Sequence, residues 1–335
     1  MTSIGDVARE AGVSPATVSR VLNGSTPVSD DRAERVREVA SRLGYQPSGP
    51  ARALRRQRTT VWAAIVADVQ NPFFTAMIRG VEDVAQAVDH RLVLCNSDED
   101  PAKEAAYVDV AIADRVAGVI IATASTGRAN LDRLLRANVP VVAVDRRPKG
   151  DGIDSVVVDN RGGARAAVEH LVDAGARRVG LITGPTRIST AESRLSGYRS
   201  ALEARGIAFD AELVRRSDFR EEGGYLAALS LLDADEPPDA LFVANNLMTL
   251  GALRALRERR RRVPRDVAIV GFDDAPWTTL VTPALTVVAQ PTYEMGCEAA
   301  RLLTTAGGRP SQHLVLPTEL VVRGSSGRRG ARPTP

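Results

Sequence analysis

The sequence predicts an α/β chain: a small all-α head followed by a larger body of two doubly wound parallel sheets. Three observations lead there. Three capped helical signatures fall within the first 47 residues; from Val61 onward, apolar runs of strand length alternate with helical patterns; and the alternation pauses near residue 160 and restarts, which makes two sheets instead of one. At 335 residues the chain also exceeds what a single core usually serves.

In the head, Ser3 followed by Asp6 is a capping-box-like start, after which Ile4, Val7, Ala8 and Ala11 recur at helical spacing until Gly12. Ser14-Pro15 supplies a cap and a proline at the first helical position; Val18, Val21 and Leu22 face inward, and Asn23-Gly24 ends the helix. A third helix starts at Ser29, carries Val36, Val39, Ala40 and Leu43, and closes at Gly44. The first two, joined across Ala11-Gly12-Val13, make a helix-turn-helix. Residues 48–60, with four arginines, Gly, Pro and Leu54 as the single large apolar side chain, read as a hinge.

In the body, VWAAIVADV (61–69) precedes a helix at 73–88; RLVLC (91–95), GVIIA (118–122) and VPVVAV (139–144) follow with helices between. VVVDN (156–160) reads as a short edge strand. The alternation restarts with a helix at 163–174, RVGLITG (178–184), a helix at 191–205, ALFVAN (240–245) and VAIVGF (267–272). A ligand in such folds lies outside the carboxyl ends of the strands, so two sheets can clamp one between them.

The net charge of +3 hides an asymmetry: residues 1–60 hold ten Arg against six Asp and Glu, leaving 34 basic against 35 acidic residues in the rest. A basic head suits a polyanion. No apolar run approaches the roughly 18 residues of a membrane span, and Met1 to Glu10 lacks the basic and apolar regions of an export signal, so a cytoplasmic protein is expected. Cys95, in a segment that reads as a buried strand, and Cys297, in one that reads as a helix, lack metal-ligand spacing and read as free core thiols. Neither a metal nor a cofactor is expected.

DVAREAGVSPATVSRVLNG (6–24) and VSDDRAERVREVASRLGYQP (28–47) closely resemble the DNA-binding head of the LacI/GalR family, and the resemblance continues through NPFF (71–74), ESRLSGY (192–198), VANN (243–246) and GFDD (271–274). It implies a periplasmic-binding-protein-like body, with residues 61–160 and 291–319 forming an N-terminal subdomain, 161–290 and 320–325 a C-terminal one, and 326–335 a disordered tail. A recognition helix starting at Ser14 would dock in the major groove, its free amides and the hydroxyls of Ser14 and Thr17 meeting phosphate. Pro15, Ala16 and Arg20 align with the family's base-reading positions: Arg20 can pair bidentately with guanine, Ala16 can pack on a thymine methyl, and Pro15 offers only shape. Ser19, Asn23 and Tyr45 complete the DNA-contacting set, although a Tyr beside a helix-stopping Gly also suits a packing cap. The resemblance makes 48–56 a hinge helix that forms on operator, with Leu54 wedged into a minor-groove base step. Gly49-Pro50 replaces the usual small-aliphatic pair there, and the Gly lowers helix propensity by about 1 kcal/mol.

The same resemblance places Phe73, Asp145, Thr190, Arg194, Phe219, Asn245, Asp273 and Gln290 around an effector. Asp145, Asn245 and Asp273 can accept from or donate to vicinal hydroxyls, Arg194 is a fixed fork and the aromatics are flat apolar faces, which suits a sugar or related polyol ahead of a nucleoside or purine. Asn246 stands where an Asp is common, and Thr292 where some members carry an aromatic. His90, His170 and His313 lie in dissimilar contexts, GxSxG and HExxH are absent, and LITGPT (181–186) lacks the Lys of a phosphate loop, so no enzyme is expected. The reading is a homodimeric repressor, or dual regulator, with a double-stranded pseudo-palindromic operator and a small-molecule effector as partners and no membrane. Its rivals are a sugar-binding transport protein of the same body fold and a regulator controlled by a partner protein.

Overall fold

The computed structural model describes residues 2–23, 28–45, 59–125, 127–306 and 309–327. The chain divides at residue 59 into two compact units.

The head comprises α1 (Ile4–Ala11), α2 (Pro15–Asn23) and α3 (Asp30–Arg42). Ser3 and Asp6 cap α1 reciprocally: the Asp6 amide donates to Ser3 Oγ at 3.2 Å and the Ser3 amide to Asp6 Oδ2 at 2.9 Å. Gly12 then ends the helix in the left-handed region, φ 67°. Ser14 Oγ accepts from the Thr17 amide at 3.2 Å ahead of Pro15, whereas Ser29 makes no side-chain cap. Val7, Ala8, Ala11, Val18, Val36, Val39 and Ala40 meet in one core, with Tyr45 packed against it. Apart from Thr59 and Thr60, the expected hinge, Leu54 included, lies outside the described residues.

The body begins with β1 (Val61–Val66), α4 (Pro72–Ala87), β2 (Arg91–Asn96), α5 (Pro101–Ala113), β3 (Gly118–Ile121), α6 (Ala129–Arg136), β4 (Val141–Val144) and β5 (Asp154–Val158). It continues with α7 (Asn160–Asp173), β6 (Val179–Thr183), α8 (Ser189–Ala204), β7 (Val214–Arg216), α9 (Glu221–Leu232), β8 (Ala240–Val243), α10 (Asn246–Glu258), β9 (Ala268–Phe272) and β10 (Thr286–Ala289). Then α11 (Thr292–Thr304) and β11 (His313–Leu316) return to the first lobe, and β12 (Glu319–Val321) to the second. The first sheet has the order β11-β5-β4-β3-β1-β2 and the second β12-β10-β9-β8-β6-β7. Side chains alternate between the faces of each sheet: on β1, Trp62 and Val66 enter one core, and Ala63 and Ile65 the other.

Four expectations need correction. VVVDN is no edge strand, because β11 returns from some 155 residues away to pair along its outer side; a partner that distant leaves no local trace. The edges of this sheet are β11 and β2, and on β2 Val93 and Leu94 are exposed and Cys95 is only half-buried. The second sheet is not wholly parallel, since β12 runs antiparallel to β10. Finally, the ordered chain extends beyond residue 325: Ser325 and Ser326 are buried in a short 3-10 turn, held by bonds from Ser325 Oγ to the Ile269 carbonyl at 2.7 Å and between Ser326 and Thr286 at 2.6 Å.

The returning helix α11 crosses α4 at backbone distance. A Cβ on Gly80 would sit 2.1 Å from the Tyr293 carbonyl, and one on Gly296 2.0 Å from that of Met77. The crossing therefore requires glycine on both helices. Among the described residues, no helix is long and apolar enough to cross a membrane.

Candidate functional site: an interlobe cleft and a recognition helix

The carboxyl ends of both sheets face a cleft of about 490 Å³. All eight residues expected around an effector line it: Phe73 and Asp145 from the first lobe, Thr190, Arg194, Phe219, Asn245 and Asp273 from the second, and Gln290 at the crossover after β10. Asp145 (φ 64°), Phe219 (φ 65°) and Asp273 (φ 79°) are all held in the left-handed region. Backbone strain of this kind persists only where the surroundings over-determine it, as at ligand sites.

On the first wall, Asn71 caps α4 by accepting from the Phe73 amide at 3.0 Å, with Pro72 at the first helical position. This fixes Phe73, whose ring meets Phe74 edge-on at 5.0 Å. Arg146 is clamped by Glu99, with Nη1 2.8 Å from Oε2 and Nη2 bonded to Oε1, and it also donates to the Thr123 carbonyl. Asp145 lies 3.3 Å from Arg146 Nε. Burial pushes the Asp145 carboxyl up, with Arg146 and Arg194 pulling it partly back.

On the second wall, Arg194 donates from Nε to Asn160 Oδ1 at 2.8 Å and from Nη1 to the Ala244 carbonyl, and lies 3.7 Å over the Phe272 ring. Its Nη2 has no partner among the described residues. Asp273 is committed: Oδ1 accepts from Gln290 Nε2, and Oδ2 from the amide and Nδ2 of Asn246, both at 3.2 Å. Burial pushes this carboxyl up as well, against the pull of Arg194.

Asn245 has both amide atoms engaged within the second lobe. Its Oδ1 caps α10 at the Met248 amide (2.9 Å) and its Nδ2 donates to the Phe219 carbonyl (2.9 Å). The ring of Phe219 covers Gly184, where any Cβ would collide with it at 2.1 Å. Sequence reasoning missed Glu99, Arg146, Asp218 and Arg220, which also line the cleft. All four follow strand ends, so the rule that ligands gather at the carboxyl ends of parallel strands could have found them.

In the head, Ser14, Pro15, Ala16 and Arg20 are exposed and Thr17 is half-exposed, so the expected reading face of α2 is open. Ser19 is the exception: it is buried.

Residues 3–48 match the model of bacterial regulatory proteins of the lacI family, and residues 168–326 that of the periplasmic binding protein-like domain. The ribose operon repressor of Halalkalibacterium halodurans is 36% identical over 326 residues, covering 96% of each chain. The chain belongs to the LacI family. The solved complex of the transcriptional regulator CelR with cellobiose is 36% identical, with a TM-score of 0.75 over 97% of this chain and 100% of that one. The lac repressor dimer bound to operator and an anti-inducer reaches 0.84 at 27% identity, over 97% and 99%. As a LacI-family member, the protein is a DNA-binding transcriptional regulator: its head carries the helix-turn-helix and its body the ligand cleft.

Proposed function

We propose that this LacI-family regulator is a cytoplasmic repressor that binds a pseudo-palindromic operator as a homodimer and is controlled by a neutral polyol, a sugar, held in the interlobe cleft. The observation that carries this reading is the convergence of all eight expected residues on one cleft, with the Arg194 fork still carrying an open nitrogen. Two buried carboxylates, that open nitrogen and the rings of Phe73 and Phe219 suit hydroxyls above an apolar sugar face. Solved relatives hold sugars: CelR was solved with cellobiose and an Enterococcus faecium LacI-family regulator with ribose. Asp145 and Asp273 are engaged by guanidinium and amide groups, an arrangement that suits recognition of a ligand.

On DNA, Pro15, Ala16 and Arg20 read base edges, Ser14 and Thr17 meet phosphate, and residues 48–60, with Leu54, act as the hinge. The exposed edge strand β2, with Val93 and Leu94, offers an apolar surface suited to the twin subunit.

Fluorescence anisotropy on palindromic duplexes with a central CG step, at fixed salt and with and without a panel of sugars and nucleosides, tests the whole reading. Sequence-specific binding changed by one panel member is the expected outcome. Arg20→Ala should weaken specific binding by about 1–3 kcal/mol and relax preference at one position; a uniform loss on every duplex would remove Arg20 from base reading.

A further inference from the structure

Apart from the bond of Arg194 to Asn160, which sits at the boundary between the lobes at the start of α7, one polar contact among the described residues passes between the lobes through buried side chains. Asn246, in the first turn of α10 and only 1% exposed, donates from Nδ2 to Asn71 Oδ1 at 2.8 Å and to Asp273 Oδ2 at 3.2 Å. Asn71 belongs to the first lobe and the other two to the second. The amide cannot be turned over, because its oxygen would then face two acceptors. Asn71 Oδ1 is also the atom that caps α4 at Phe73, so a single oxygen both fixes the aromatic wall and receives the opposite lobe's donor. Asp273 is held in turn by Gln290, at the crossover between lobes. The remaining polar ties across the cleft, Arg187 Nη2 to the Glu99 carbonyl at 3.3 Å and Arg220 to Asp98 at 3.8 Å, are solvent-exposed contacts of little strength.

We propose that Asn246 is the positioning residue that couples lobe angle to the cleft. Its Nδ2 is a latch, closed only when Asn71 Oδ1 comes within hydrogen-bond reach. An amide suits the task, since it can donate to both neighbours without adding charge beside Asp273. A carboxylate in its place would have no proton to give Asn71 and would repel Asp273. The latch goes beyond the proposed function; its effect on operator binding rests on that reading.

Hydrogen exchange of the full chain without ligand tests the latch directly. In N246A and N246D, amides of residues 73–77 should exchange at least about tenfold faster than in the parent, more so in N246D, and by more than the fall in global stability read from the urea midpoint accounts for. Unchanged exchange in both variants overturns the proposal. Should N246D fail to fold, N246A decides. D-ribose and cellobiose then serve as probes in operator anisotropy. Where one of them shifts the parent's affinity, N246A should reduce that shift by about tenfold, and an undiminished shift overturns the coupling. If neither sugar moves the parent, the exchange result still decides the latch, and only the choice of sugars as effector falls.

Discussion

The two walls of the cleft each carry a buried arginine, put to opposite uses. Arg146 is ion-paired: Glu99 grips both terminal nitrogens, Thr123 takes a further bond, and Nε, which makes no hydrogen bond, lies 3.3 Å from Asp145. Arg194 has no hydrogen-bonded carboxylate; it is held by the neutral oxygens of Asn160 and Ala244 over the Phe272 ring, with one nitrogen left open. The first wall thus spends its cation on its own architecture, and the second keeps one for a ligand. Residue type alone does not mark a recognition residue; what its neighbours have already claimed does.

The comparison breaks most visibly at Glu99. Glu99→Gln removes the carboxylate that grips both terminal nitrogens of Arg146, leaving Asp145 beside Nε as its counter-ion, and should cost about 3 kcal/mol of body stability in urea unfolding. A loss under 1 kcal/mol would mean that Arg146 is not held by this pair. Arg194→Ala should act on the other axis: binding of the inducing or corepressing sugar, followed by calorimetry, should fall about a hundredfold, the worth of a charge-assisted hydrogen bond. Operator affinity without ligand should hardly change. An equal loss of stability in both variants would erase the distinction between the walls. Asn160→Ala sharpens it, since removing the acceptor at Arg194 Nε loosens the fork without removing it. Sugar affinity should drop about tenfold, and no drop would mean that Phe272 and Ala244 suffice to aim the guanidinium.

This difference explains what the sequence could and could not reveal. The head was readable almost residue by residue, because caps such as Ser3 with Asp6 and stops such as Gly12 act within one helical turn. The core of each sheet was readable from apolar runs. The place of β5 was not, because β11 joins it from the far end of the chain. Likewise, Arg194 was reachable through SRLSGY, yet that Asn160 and Ala244 would hold it depends on the packing of α7 and β8 against α8. Glu99 and Arg146, 47 residues apart, carry no pattern that pairs them.

The smallest expected effect has the opposite sign and belongs to Asp145. Burial raises its pKa in the folded state, Glu99 and Asp273 adding to the rise and the two arginines opposing it. The folded protein therefore holds this proton more tightly than the unfolded chain. The penalty for ionised Asp145 is absent below the unfolded carboxyl pKa of about 4 and complete above the raised folded value. Asp145→Asn removes it, so the variant should be more stable than the parent at pH 7 by about 1 kcal/mol. That gain should shrink toward zero as urea midpoints are followed down to pH 4. The same change takes an anionic acceptor from the ligand, so sugar binding should weaken while stability rises. A variant less stable at pH 7, or a gain that persists at pH 4, would show that Asp145 is held by its neighbours as firmly as Arg146 is, and the first wall would then offer the ligand no charge at all.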